Sequence, residues 1–86
     1  MKDLNFSVKT IEEIMDEWMD EAKIATNRKV AVHVHHRKVF VITDVPGAFI
    51  GFEGRLVKKY QKILRANGFG QNVKFIDISR GGLKVF

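Results

Sequence analysis

Lys38-Val39-Phe40-Val41-Ile42-Thr43-Asp44-Val45-Pro46-Gly47-Ala48-Phe49-Ile50-Gly51-Phe52-Glu53-Gly54-Arg55-Leu56-Val57-Lys58-Lys59-Tyr60 decides the fold, because its pattern changes twice. Lys38 to Thr43 is β-branched and aromatic with an unbroken apolar centre, which predicts a central strand with both faces partly covered. Asp44-Val45-Pro46-Gly47 breaks it, and Pro46 suits the first position of a short helix, where its missing N–H is not needed. That helix holds Ala48, Phe49 and Ile50 and stops at Gly51. Gly54 opens a second helix to about Ala66, with Leu56, Val57, Tyr60, Ile63 and Leu64 on one stripe. Arg55, Lys58, Lys59, Lys62 and Arg65 fill much of the rest. Asn67-Gly68 is a C-terminal stop.

Working outward, residues 10–26 predict an amphipathic helix. Ile11, Ile14, Met15, Trp18, Met19 and Ala22 form its stripe, and Thr10 with Glu13 forms a capping box. Residues 29–35 alternate, with Val30, Val32 and Val34 on one face and Ala31, His33 and His35 on the other. His36-Arg37 is the tip of a hairpin to the second strand. After the loop Phe69-Gly70-Gln71-Asn72, Val73 to Ile78 is a third strand. Residues 79–86 are a tail or a short extra strand, and residues 1–9 a lead-in.

The order is α-β-β-α-α-β in one domain, residues 1–86. A hairpin followed by a right-handed crossover places the third strand parallel to the second. The expected architecture is a two-layer α/β fold (α+β): a three-stranded mixed sheet covered on one face by three helices.

Val45 to Lys59 resembles the core of KH domains, an apolar residue followed by Gly-x-x-Gly between two short helices with an apolar residue in the next turn. Here these are Ile50, Gly51, Gly54 and Val57. The element order resembles the type II arrangement, and the Pro-Gly lead-in is most similar to that of the KH domain of a bacterial small-subunit ribosomal protein. The resemblance covers residues 38–78 by motif and 8–37 by topology. It implies binding of single-stranded nucleic acid, RNA first and DNA second, along the Gly-x-x-Gly loop. The implied contacts are Ile50, Gly51, Phe52, Glu53, Gly54, Arg55, Val57, Lys58, Lys59 and Lys62.

The chemistry supports this without the family. Two glycines permit a tight turn and close approach. Amides near Gly54 and Arg55, at the positive end of a helix, are expected to point outward at a phosphate. Arg55, Lys58, Lys59 and Lys62 supply charge, and Ile50 and Val57 an apolar floor for bases. Val41, Thr43 and the loop Phe69–Asn72 are expected to form the opposite wall. The loop departs from the family at Phe52 and Glu53, where small or basic residues are usual. Glu53 sets a negative charge on the path of a phosphate; Phe52 offers a ring for stacking, worth about 1–3 kcal/mol in single-strand binders. The alternative is a degenerate KH fold serving as a protein-interaction or dimerisation module, through Phe40, Phe75, Leu83 and Phe86 on the uncovered sheet face.

Charge and composition bound the remaining classes. Four basic and seven acidic side chains before residue 29 leave −3, and eleven against three after it leave +8, so a polyanion is drawn to the later part. No cysteine is present, which excludes disulfides and thiolate metal sites. The lack of a leader or membrane-length apolar run predicts a cytoplasmic protein without membrane attachment. His33-x-His35-His36 lacks an obvious third ligand, so no metal is expected. No cofactor fingerprint, nucleophile–base pair or paired acids suggest an enzyme.

Overall fold

The computed structural model describes residues 8–70, 72–79 and 84–85. The elements follow as α1 (Ile11–Glu21), β1 (Val30–His35), β2 (Lys38–Thr43), α2 (Pro46–Ile50), a 3-10 turn (Phe52–Gly54), α3 (Arg55–Ala66), β3 (Val73–Asp77) and β4 (Lys84–Val85). The fold is α+β, with a mixed sheet in the order β1-β2-β3-β4. β1 and β2 form an antiparallel hairpin, β2 and β3 run parallel, and the two residues of β4 pair antiparallel with β3. The expected element order and the central place of β2 are what the chain adopts. The tail contributes the short extra strand.

α1 starts where its capping box places it. Thr10 accepts from the Glu13 amide at 3.2 Å, and the Thr10 amide donates to the Glu13 carboxylate at 2.8 Å. It ends at Glu21, short of the predicted residue 26. Lys23 takes a left-handed conformation (φ 57°), the Lys23 amide bonds to Asp20 O, and the Ile24 amide reaches back to Met19 O at 3.0 Å. This is a Schellman termination with lysine in the place usually held by glycine, so the sequence carried no stop signal there. α3 ends the same way on Gly68, with the Phe69 amide on Leu64 O at 2.9 Å. His36 and Arg37 are both left-handed, which gives the hairpin its two-residue turn.

The core lies between the helices and one sheet face. Val39, Val41 and Thr43 of β2 and Phe75 of β3 point into it, with Phe49 of α2 and Tyr60 and Leu64 of α3 above them. Trp18 of α1 is the hub. It stacks on Tyr60 (centroids 4.9 Å apart, planes 5° apart) and meets Phe49 and Phe75 edge-on, at 5.5 and 6.0 Å. Its indole N–H donates to Phe49 O at 3.0 Å, which ties α1 to the turn of α2 just before the loop.

The structure corrects the expected apolar patch. Phe75 is buried among the helices, 3% exposed, not on the uncovered face. Lys74 takes the outward position, and strict alternation then sends Phe75 inward. Phe40 does lie on the uncovered face. Leu83 and Phe86 fall outside the described residues.

Candidate nucleic-acid interface

α2 and α3 present the loop Gly51-Phe52-Glu53-Gly54 at the start of α3. Gly51 has φ 78° and ψ 175°, a region open essentially to glycine alone. A Cβ there would stand 3.0 Å from Leu56 Cβ and 3.1 Å from the Leu56 backbone N. Gly54 has φ 75° with space around it, so only its backbone demands glycine. Glu53 between them is also left-handed, at φ 55°. Three positive φ angles in four residues turn the chain sharply and push the Phe52 ring outward, 75% exposed.

The loop uses some of the donors that were expected to face a ligand. The Gly54 amide donates to Gly51 O at 3.1 Å, and the Arg55 amide donates to Phe52 O. These bonds close the 3-10 turn, so the two amides expected to point outward are used inside the loop. The expected opposite wall is also corrected. Val41 and Thr43 are fully buried in the core. The loop after α3 is tied to the hairpin tip, through Arg37 Nε on Gly68 O at 2.9 Å and the Gly70 amide on Arg37 O. That places it at the far end of a 12-residue helix, about 18 Å from the Gly-x-x-Gly turn at 1.5 Å per residue.

The remaining side chains divide into three groups. Ile50 and Val57 are half-buried, packed on the core with part of their surface outward. Phe52, Glu53 and Arg55 form an exposed set, with Arg55 Nη2 3.5 Å from the Glu53 carboxylate and its Cζ 5.7 Å from the Phe52 centroid. An exposed pair of this kind contributes well under 1 kcal/mol, so a stronger anion can displace it. Lys58 lays its stem near Gly54; it and Lys62 are exposed and make no ion pair among the described residues.

Lys59 differs, for its ammonium sits 2.7 Å from the Glu21 carboxylate of α1. The Tyr60 hydroxyl donates to the same oxygen at 2.8 Å. The Lys59 hydrogen bond, with the Tyr60 one behind it, holds Glu21 below the usual carboxylate range. Burial, and then the bond to Glu21, pushes the Tyr60 phenol above its usual value. This cluster fastens α1 to α3. The partners are 38 and 39 residues apart, so no local pattern announced it.

Among the described residues, no group of three or more His, Cys, Asp or Glu side chains could hold a metal ion, and no helix is long and apolar enough to cross a membrane. No family model matches the chain, and neither does any curated protein or solved structure.

Proposed function

We propose that the chain is a binding module rather than an enzyme, and that it takes single-stranded nucleic acid, RNA in the first instance, on the Gly-x-x-Gly loop and the adjoining basic face of α3. The observation that carries this reading is Phe52. A large apolar ring stands 75% exposed at the tip of a glycine turn, with Arg55 beside it. Exposing such a ring is unfavourable unless something covers it. Bases stack on rings of this kind irrespective of sequence. Arg55, Lys58 and Lys62 would meet the backbone, with Ile50 and Val57 beneath the bases. Lys59, committed to Glu21, is secondary.

The second reading is a loop that has lost its ligand and serves a protein contact or homodimer. The internal use of the Gly54 and Arg55 amides favours it. A titration with a single-stranded RNA pool separates the two. Under the first reading Phe52→Ala weakens binding by about 1–3 kcal/mol. Replacing Lys58 and Lys62 with Ala lowers the salt slope by about 0.7 for each phosphate no longer neutralised. Binding and slope unchanged in both variants would leave the protein-contact reading.

A further inference from the structure

The helices cover only one face of the sheet. The strand register assembles the other from side chains that the loop does not use. His35 lies opposite Lys38, and His33, Phe40 and Lys74 form a row across three strands. Ile42 and Ile76 lie side by side in the next row. His33 and His35 stand two residues apart on β1, their rings 6.2 Å apart and nearly parallel at 13°. Phe40 lies 6.1 Å from His33. His33, His35, Phe40, Ile42 and Ile76 line a shallow concavity of about 410 Å³. That is within the range of small-ligand sites, about 300–1,000 Å³.

The charge on this face has one sign. Lys38 and Lys74 are exposed on it, and no carboxylate lies on it among the described strand residues. The acids nearest in sequence are Asp77, whose register opposite the buried Thr43 puts it on the helix side, and Asp44, which is engaged by Arg28 at 3.8 Å and by the Lys29 amide at 3.2 Å. An apolar partner strand or helix would cover the isoleucines but leave both lysines without counter-charge. A stacked, anionic chain satisfies rings and lysines together.

We propose that the uncovered sheet face is a second nucleic-acid surface, on which unpaired bases stack on His33, His35 and Phe40 while Lys38 and Lys74 meet the phosphates. It stands on residues separate from the loop. A strand long enough to reach both would be held at two places.

Fluorescence anisotropy with single-stranded RNA of about 12 nucleotides and its DNA counterpart tests this. Three double variants are compared with wild type: His33→Ala with Phe40→Leu, Lys38→Glu with Lys74→Glu, and, for the loop, Phe52→Ala with Lys58→Ala. Trp18 fluorescence and circular dichroism check that each is folded. The first should weaken binding at least about fivefold. The second should lower the salt slope by about 1.4, the share of two phosphates on a single strand. A loss with RNA only would assign the face to RNA; an equal loss with DNA would assign it to single strands generally. Wild-type affinity in both face variants, with weaker binding in the loop variant, would overturn this proposal and leave the loop reading intact. No binding by wild type would end both. Wild type sedimenting as a dimer that the face variants dissociate, with unchanged oligonucleotide affinity, would make the face a self-association surface and overturn the proposal.

Discussion

Trp18 and Phe52 are two large aromatic side chains with opposite commitments. Trp18 is fully buried, touches three other rings and has its one polar atom bonded to Phe49 O. Phe52 is 75% exposed and has a single cation beside it. The first commits its apolar surface to folding and keeps none for a ligand. The second contributes little to folding and leaves its surface open. They are linked through Phe49, whose ring packs on Trp18 and whose carbonyl accepts from it, two residues before the loop begins. The folded core thereby positions an element that adds almost nothing to its stability.

The largest effect belongs to the buried partner. Trp18→Ala should cost about 3–5 kcal/mol. A domain of this size has about 4–13 kcal/mol in all, at about 0.05–0.15 per residue. Urea denaturation followed by circular dichroism should find the variant largely unfolded or with a much lower midpoint. Trp18→Phe keeps most of the packing but leaves Phe49 O without its donor, a loss of about 1–3 kcal/mol. A Trp18→Ala midpoint near wild type would break the contrast, since the hub would then be dispensable.

Gly51→Ala tests the link between core and loop. The added Cβ meets Leu56 at 3.0 Å in a backbone region that alanine avoids, so about 1–3 kcal/mol should be lost. Thermal unfolding should show this as a fall of about 4–8 °C for each kcal/mol. Gly54→Ala has space for its methyl and should cost less, from its φ alone. Equal melting temperatures for the two would mean that the turn relaxes away from Leu56.

The bridge between α1 and α3 gives the pH dependence of the core side. Glu21 in the folded chain lies below its usual 4.5, so its contribution is present above that value and lost as pH falls through the lowered one. Tyr60 lies above its usual 10.0, so its contribution is present below 10.0 and lost as pH rises through the raised value. Tyr60 is the only tyrosine, and tyrosinate absorbance therefore reports it alone. The absorbance step should come later in the folded protein than in urea. Glu21→Gln should bring it earlier and flatten the acid-side loss of stability. A step at the same pH with and without urea would mean that Tyr60 is neither buried nor bonded to Glu21 in solution, and a step that Glu21→Gln leaves in place would mean that the bridge does not form.

The division between core and loop also explains what the sequence disclosed. The order of elements was legible because each relevant signal is local: the Thr10–Glu13 cap, the alternation in β1, Pro46 opening α2, and Gly68 closing α3. The end of α1 was not, because Lys23 adopts at a cost the conformation that glycine adopts freely. The face that takes Phe75 is not legible, because Val73-Lys74-Phe75-Ile76-Asp77-Ile78 has apolar residues on both sides of the strand. In the candidate site, the glycines and the exposed ring were legible. The use of the loop's amides and of Lys59 was not, since the first depends on backbone angles and the second on an ion pair between helices far apart in sequence.

Glu53 is the smallest test and bears directly on Phe52, its neighbour. It has two costs that different substitutions separate. Its backbone is left-handed, at φ 55°, which disfavours any side chain with a Cβ. Its carboxylate draws Arg55 to 3.5 Å and places a negative charge beside the ring. Glu53→Gly removes both and should raise stability by up to about 1 kcal/mol, the backbone relief exceeding the added freedom of the unfolded chain. Glu53→Lys keeps the backbone cost, leaves Arg55 free and reverses the charge. Charges about 4 Å apart interact by about 1 kcal/mol in water, so removing the charge should tighten the binding of an oligonucleotide passing the ring about fivefold and reversing it, in the lysine variant, up to about thirtyfold, with stability nearly unchanged. Glu53→Gln should fall between the lysine variant and wild type. That order in affinity, with glycine alone changing the melting temperature, would place the phosphate path beside Phe52. Equal affinities for glutamate, glutamine and lysine would show that the charge at this position is not felt by the ligand. The exposed ring would then be covered by something other than a polyanion.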